Sequence, residues 1–376
     1  QLYRTMGDMA LDAVKENPYI AVDCGAEFFE ADAMALSMGF EGDCPQRVEA
    51  AVLFELTHNL NNGHTFLPYK KLVAATQQLI SCEGEIIEES LNILCETGYI
   101  VRCEAAGQDA CYLTDIFDAE SYTARRIIDM ACNTSFEYDG ADALIEAVER
   151  EQGIKYSSEQ RLAVAFAASN RVMVLTGGPG TGKTTSVRAI LALFDKLRLK
   201  TVLCAPTGRA AKRISEVCLR DAATIHRMLG ASVGDNDRLI FEHDEADPID
   251  ADAVIVDESS MIDINLMHNL LKALPSGCRL VLVGDADQLP SVGPGNVFSD
   301  IINSGVIKTV RLTEIFRQAQ ESRIVRSAHM INRGEMPDLK NTGGDFYFLR
   351  RTDPKRAAET IVSLCAQRLP NNMGIP

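Results

Sequence analysis

Gly177-Gly178-Pro179-Gly180-Thr181-Gly182-Lys183-Thr184-Thr185 follows directly on the apolar run Val172-Met173-Val174-Leu175. Glycines at this spacing let the backbone curl around a chain of phosphates so that several N–H groups point at it, and a helix starting at the end of the loop adds its positive pole. In that pattern Gly178, Gly180, Thr181 and Gly182 shape the cradle, and Lys183 reaches the β- and γ-phosphates as a point charge. The Thr184 hydroxyl is the expected Mg²⁺ ligand, with Thr185 the weaker of the two threonines. A plain Gly-rich turn between a strand and a helix would look similar locally, but it would not account for the carboxylates downstream. The expectation is a site that binds and hydrolyses a nucleoside triphosphate.

Beyond Gly153 apolar runs at Val172–Leu175, Thr201–Cys204, Ala253–Val256, Leu280–Val283 and Val310–Leu312 alternate with helical stretches. This predicts an α/β fold, a P-loop, doubly wound parallel sheet whose ligands sit at the C-terminal ends of the strands. The third run ends in Asp257-Glu258. There Asp257 is placed to hold Mg²⁺, usually through water, and Glu258 to orient and deprotonate the attacking water. The fourth ends in Gly284-Asp285-Ala286-Asp287-Gln288, where the Gln288 amide can sense the γ-phosphate or the hydrolytic water, or merely cap its loop. After the fifth run comes Arg317, which suits an arginine finger on the transferred phosphoryl group, with a surface arginine as the alternative.

The first 150 residues read differently. Short amphipathic segments broken by Asn17-Pro18, Gly25 and Gly39 suit either a helix-hairpin-helix or a plain helical bundle. A helix from Gln46 to about Gly63, helices over Leu67–Ile80 and Ile86–Thr97, and strands at Tyr99–Cys103 and Ala110–Leu113 give the order of a winged helix. Its second helix opens Gly84-Glu85-Ile86-Ile87-Glu88-Glu89, which would repel phosphates, so a protein-contact or scaffold role is favoured over DNA reading. His58 and His64 read as turn or packing residues.

Charge follows the same division. The chain of 376 residues carries a net −16, and residues 1–150 hold 9 Lys+Arg against 27 Asp+Glu, a net of −18. That half is a poor general polyanion binder, whereas the near-neutral remainder can still carry a local basic groove. The 11 cysteines include no Cys-x-x-Cys pair, which argues against zinc or iron–sulfur sites and for reduced thiols. No apolar run reaches membrane-spanning length and the start lacks a signal pattern, so no membrane partner and a cytoplasmic location are expected. The absence of an initial Met and the turn-like Pro370–Pro376 suggest an excised piece.

The segments Gly177–Thr185, Ala205–Arg213, Thr224–Leu229, Val256–Met261, Gly284–Pro294 and Phe316-Arg317-Gln318 resemble, in order and spacing, the RecD-like superfamily 1 helicases. Asn17-Pro18-Tyr19 and Gly63-His64-Thr65-Phe66-Leu67-Pro68 resemble the N-terminal region of the stand-alone type rather than the exonuclease V alpha subunit. The resemblance implies a RecA-like motor using ATP and Mg²⁺, moving 5′ to 3′ along single-stranded DNA, with junctions bearing single-stranded 5′ tails among its substrates. It implies that Gln160 reads the adenine edge, although a helix-start residue would look the same. It also implies that Pro206, Thr207, Gly208 and Arg209, with Thr224 and His226, meet the DNA; packing is the alternative for His226.

The expected domains are 1–45 helical, 46–118 winged-helix-like, 119–153 a helical connector, 154–345 the first motor domain and 346–376 the start of a second. Nothing after Leu349 supplies the second lobe's motifs, so the piece alone should bind nucleotide yet fail to unwind. Single-strand-binding or repair proteins are candidate partners for the acidic region. Two other readings stay open: an alpha subunit of an exonuclease V-type complex, and a nucleotide-dependent DNA-binding switch or scaffold.

Overall fold

The structure is a computed structural model that describes residues 3, 7–132, 141–234, 239–314, 321–340 and 344–373. It divides into two units: Gln1–Gly178 with Gly182–Thr313, and Glu314–Pro376 with the loop residues Pro179–Thr181.

The first unit begins with helices Ala10–Glu16, Ile20–Asp23, Phe28–Ser37 and Pro45–Leu60. Gly25, at φ 92°, turns the chain between the second and third, a conformation that residues with a Cβ rarely adopt. Pro45 sits in the first turn of its helix, where a missing N–H costs nothing. Phe28 stacks on Phe54 with ring centroids 4.9 Å apart. Arg47 ties the region together. Its Nε and Nη2 donate to the two Asp32 carboxylate oxygens at 2.7 and 3.0 Å, and its Nη1 to Gly42 O and Ile80 O at 2.6 and 3.1 Å. Tyr19 OH donates to the same carboxylate at 2.7 Å.

Next come β1 (Phe66–Pro68), helices Tyr69–Ile80 and Gly84–Glu96, then β2 (Ile100–Ala105) and β3 (Gln108–Leu113), with strand order β1-β3-β2. The helix expected from Leu67 therefore starts later, because Phe66-Leu67-Pro68 is an edge strand antiparallel to β3. The cause is local: the residue before a proline is held extended, so Leu67 cannot enter a helix, and the helix opens after Pro68. β3 is buried on both sides. Cys111 belongs to the core formed by Phe28, Val52, Leu72, Ile87 and Leu91, while Ala110 and Tyr112 belong to a second core shared with Ile116, Ile127 and Met267.

Helices Thr114–Cys132, Ala141–Gln152 and Ser158–Ser169 lead into the large sheet. Its strands are β4 (Val172–Gly177), β5 (Thr201–Ala205), β6 (Ala222–Thr224), β9 (Ala253–Val256), β10 (Arg279–Gly284) and β11 (Lys308–Leu312). A small antiparallel pair, β7 (Ser232–Val233) with β8 (Leu239–Ile240), lies between β6 and β9 in sequence. All pairings in the large sheet are parallel, in the order β11-β4-β10-β9-β5-β6. β6 was not among the expected strands, since Ala222-Ala223-Thr224 is too short and too weakly apolar to show a period.

Alternate residues of the central strands feed opposite cores, as pleating requires. Val172, Val174, Val254, Val256, Leu280 and Leu282 face helices Thr114–Cys132 and Ile264–Ala273. Met173, Leu175, Ile255, Val281 and Val283 face helices Ser158–Ser169 and Lys183–Lys196. Helices thus cover both faces, and the doubly wound P-loop architecture expected from the sequence is the observed one. At its end β10 comes close to its neighbours: a Cβ added at Gly284 would lie 2.9 Å from Phe298 Cζ and 3.1 Å from the Ser260 backbone nitrogen.

The second unit has helices Arg323–Asn332, Pro354–Ser363 and Leu369–Met373. Asp345 accepts from Ser322 Oγ at 2.5 Å and from Arg323 N at 2.8 Å, anchoring the first of these helices. Helix Pro354–Ser363 buries none of its residues. Among the described residues, no helix is long and apolar enough to cross a membrane.

Two consequences are measurable. The Arg47 hydrogen bonds hold the Asp32 carboxyl below the usual carboxylate range, against the opposing effect of burial. Their contribution is therefore complete above the unfolded-state pKa of about 4 and is lost as pH falls through the lower folded value. Asp32→Asn should cost about 2–3 kcal/mol, somewhat under the range for a fully buried pair, and should flatten the acid side of the stability profile in urea unfolding. Gly284→Ala should cost about 1–3 kcal/mol, because neither the Phe298 ring nor the Ser260 backbone can give way freely; a shifted denaturation midpoint at unchanged m-value would report it.

Candidate functional site

Parallel register brings the chemistry to one edge. Thr176 of β4 lies level with Gly284 of β10, Val256 of β9 with Leu282 of β10 and Cys204 of β5, and Ala205 with Thr224. The segments leaving the strands therefore line up in space as Thr313, the phosphate loop, Asp285, Asp257, Pro206 and Thr224.

Gly180 and Gly182 have φ of 78° and 86°, the left-handed region in which glycine is at ease, and Gly182 is the residue before helix Lys183–Lys196. Gly178 opens the loop and Thr181 is buried within it. Lys183 Nζ folds back on the loop and donates to Gly177 O at 2.5 Å and Gly178 O at 3.2 Å. Thr184 and Thr185 are half-buried in the first turn of the helix, and Ser186 Oγ donates to Gly182 O at 3.3 Å. Burial pushes the Lys183 ammonium below the usual lysine value, while Asp285, Glu258 and Asp257, in that order, pull it back up.

The carboxylates are held by their strands. Asp257 N donates to Cys204 O at 2.9 Å, fixing the end of β9 against β5. Burial raises the Asp257 carboxyl above its usual range and the Glu258 charge adds to this, with Lys183 and Arg213 opposing. Glu258 itself has φ 53°, a left-handed conformation in a residue with a Cβ. Such strain costs roughly 1–3 kcal/mol and persists only where the surroundings impose it. Here the 3-10 turn Ser259–Met261 does so, with Ser259 Oγ donating to Val256 O at 2.9 Å.

Asp285 is 3% exposed and organises the loop after β10. It accepts from Asp287 N at 3.1 Å and lies 3.5 Å from Gln288 Nε2, and Ala286 N donates to Thr176 Oγ1 at 3.1 Å. Gln288 is exposed. Sequence reasoning gave the role in this loop to Gln288 and passed over Asp285 and Arg213; the electrostatic link of both to Lys183 exists only once the strands are side by side. Three carboxylates around one ammonium leave an excess of negative charge that a divalent cation would offset, so the residues fit a Mg²⁺–nucleotide.

Gln160 is 1% exposed and is the N3 partner of a capping box with Ser157, its Oε1 accepting from Ser157 N at 3.1 Å and its Nε2 lying 3.5 Å from Gly182 O. It thus fills the helix-start role while remaining next to the loop. Glu159 accepts from Thr313 N and Thr313 Oγ1 at 2.8 and 2.6 Å. Arg317, expected as an arginine finger, lies outside the described residues.

The expected DNA contacts occupy the far end of the same edge. Thr207 Oγ1 accepts from Ala210 N and caps helix Gly208–Cys218, and Thr224 Oγ1 accepts from Arg227 N. Both hydroxyls keep a proton to donate. Pro206 is half-buried, while Gly208 and Arg209 are exposed. The His226 ring lies tilted against Phe241 with centroids 6.0 Å apart.

Two family models match the chain: the ATP-dependent RecD2 DNA helicase HHH domain over residues 1–66 and an AAA domain over residues 160–294. The ATP-dependent RecD2 DNA helicase of Deinococcus radiodurans is 33% identical over 342 residues, which is 88% of this chain and 47% of that protein. The RecBCD enzyme subunit RecD of Mycobacterium tuberculosis is 41% identical over 168 residues, 39% of this chain and 28% of that protein. The chain thus spans about half the length or less of these relatives. The solved Pif1 helicase of Candida albicans aligns with 49% of this chain and 46% of its own at 25% identity, with a TM-score of 0.36, too low to bear on the fold. The match over residues 1–66, the match over residues 160–294 and the relative that aligns with 88% of the chain agree, and the chain belongs to the RecD-like helicases.

Proposed function

We propose that this chain is the accessory region and first motor lobe of an ATP-driven helicase that moves 5′ to 3′ on single-stranded DNA. One observation carries the reading: Lys183 sits in a glycine loop under the combined charge of Asp285, Glu258 and Asp257, on the same sheet edge as the threonine-capped segments at Thr207 and Thr224. In this reading Gly178, Gly180, Thr181 and Gly182 wrap the phosphates and Lys183 leaves its loop carbonyls for the β- and γ-oxygens. Thr184 and Asp257 hold Mg²⁺, with Thr185 beside them. When bound, Mg²⁺ supplies positive charge that offsets the phosphates. Glu258 orients the attacking water and takes its proton, Gln288 monitors the γ-phosphate, and Arg317 stabilises charge on the group in transfer. Gln160 contacts the adenine. Pro206, Thr207, Gly208, Arg209, Thr224 and His226 follow the DNA backbone, reading phosphate rather than sequence.

The domain divisions expected from the sequence, including a second motor lobe beginning near residue 346, belong to the same proposal, because translocation requires two lobes that open and close on nucleotide. The acidic first 150 residues favour a basic protein surface, such as that of a single-strand-binding or repair protein, over DNA. The likeness to the RecD2 helicase and to the RecD subunits supports the helicase reading. The stand-alone type is favoured over a RecBCD-type subunit because the N-terminal residues match the RecD2 model.

ATP hydrolysis by the protein carrying both lobes should rise with single-stranded DNA, and duplexes with a 5′ tail should be opened in preference to those with a 3′ tail. Turnover indifferent to DNA would instead mark a nucleotide switch. Lys183→Ala should abolish nucleotide binding measured by fluorescent-nucleotide titration. Glu258→Gln should keep binding within a few-fold while turnover falls about 100-fold or more.

A further inference from the structure

The tip of the phosphate loop is held by a side chain from far along the sequence. His329, in helix Arg323–Asn332, has its Nε2 3.2 Å from Pro179 O, and both residues belong to the same compact unit. A carbonyl oxygen only accepts, so Nε2 carries the proton and donates. The helix that presents the ring is anchored at its start, where Val325 N donates to Ser322 Oγ at 3.2 Å and Arg323 N to Asp345 at 2.8 Å. Pro179 and Gly180 stand at the centre of a turn, and the Gly180 φ of 78° is that of the second central position in a type II turn. Glycine reaches negative φ as readily, so the peptide between the two residues is free to reverse to the type I orientation.

That peptide is planar and trans, so its oxygen and its N–H point in opposite directions. Whatever fixes Pro179 O therefore aims Gly180 N–H. Pro179 has no N–H to offer a phosphate. Gly180 is exposed, and its N–H bonds no group among the described residues. Lys183 holds the two preceding carbonyls, Gly177 O and Gly178 O, and gives them up when it turns to the phosphates; the bond from His329 does not depend on it. We propose that His329 is a positioning residue for nucleotide binding: its hydrogen bond locks the Pro179–Gly180 peptide, so that Gly180 N–H stays turned away from helix Arg323–Asn332 and free for a phosphate oxygen. The inference rests on the nucleotide reading given above. Without the lock the turn samples both orientations, and part of the binding free energy goes into fixing it.

Fluorescence titration with N-methylanthraniloyl-ADP and Mg²⁺ tests it on the wild-type chain and two variants. His329→Leu keeps an apolar body without a donor and should weaken binding about three- to tenfold. His329→Gln carries an amide nitrogen at the reach of Nε2 and should restore binding to within about twofold of wild type. Without nucleotide both variants should unfold at the wild-type temperature, because Pro179 is exposed and the lost bond is replaced by water. Wild-type protein that fails to bind the probe removes the nucleotide reading, and the inference with it. Wild-type binding that His329→Leu matches, or that both variants weaken alike, overturns the role of His329 alone.

Discussion

Strands with no solvent-facing side push ionisable groups to their ends. β4, β9 and β10 are buried at every position, and the charge they carry, Arg279 at the start of β10, is desolvated and held by the Ala167 and Ala168 carbonyls. Their parallel register then brings those ends to a common edge. Lys183, Asp257 and Asp285 become neighbours because their strands are, although they are far apart in sequence. The polar cluster is a consequence of the sheet, and its shifted proton affinities follow from standing at the margin of an apolar slab.

Much of this was legible in the sequence because the signals are local. A glycine loop between an apolar run and a helix, and carboxylates directly after apolar runs, need no tertiary information. Fully buried parallel strands read as unbroken apolar stretches, so five of the six strands could be placed. What escaped depends on partners distant in sequence. β6 is three residues long and exists through its pairing with β5. β1 exists through its pairing with β3, although Pro68 already ruled out a helix through Leu67. Asp285 carries no mark distinguishing it from Asp287 until its burial is known. Gln160 shows the opposite limit: its capping role follows from Ser157 three residues earlier, whereas its nearness to Gly182 does not.

The acidic N-terminal region has a physical logic of its own. Most of its described acidic side chains are exposed, and inside it the Asp32 carboxylate is matched by Arg47, whose remaining donors reach main-chain carbonyls from two further segments. A single guanidinium thus closes a loop-rich assembly of short helices that aromatic stacking alone would leave loosely oriented. The same region contacts the loop after β10 through its backbone, with Gly295 N donating to Gly63 O at 3.0 Å.

β3 gives Cys111 to one hydrophobic core and Ala110 and Tyr112 to another. A strand that belongs to two cores cannot leave one without unmaking the other. The N-terminal module and the large parallel sheet therefore share their folding free energy instead of adding two separate amounts, and heat should melt them in one transition. A lesion in either core is felt in both, so the module is built into the large sheet and is not a domain on a tether.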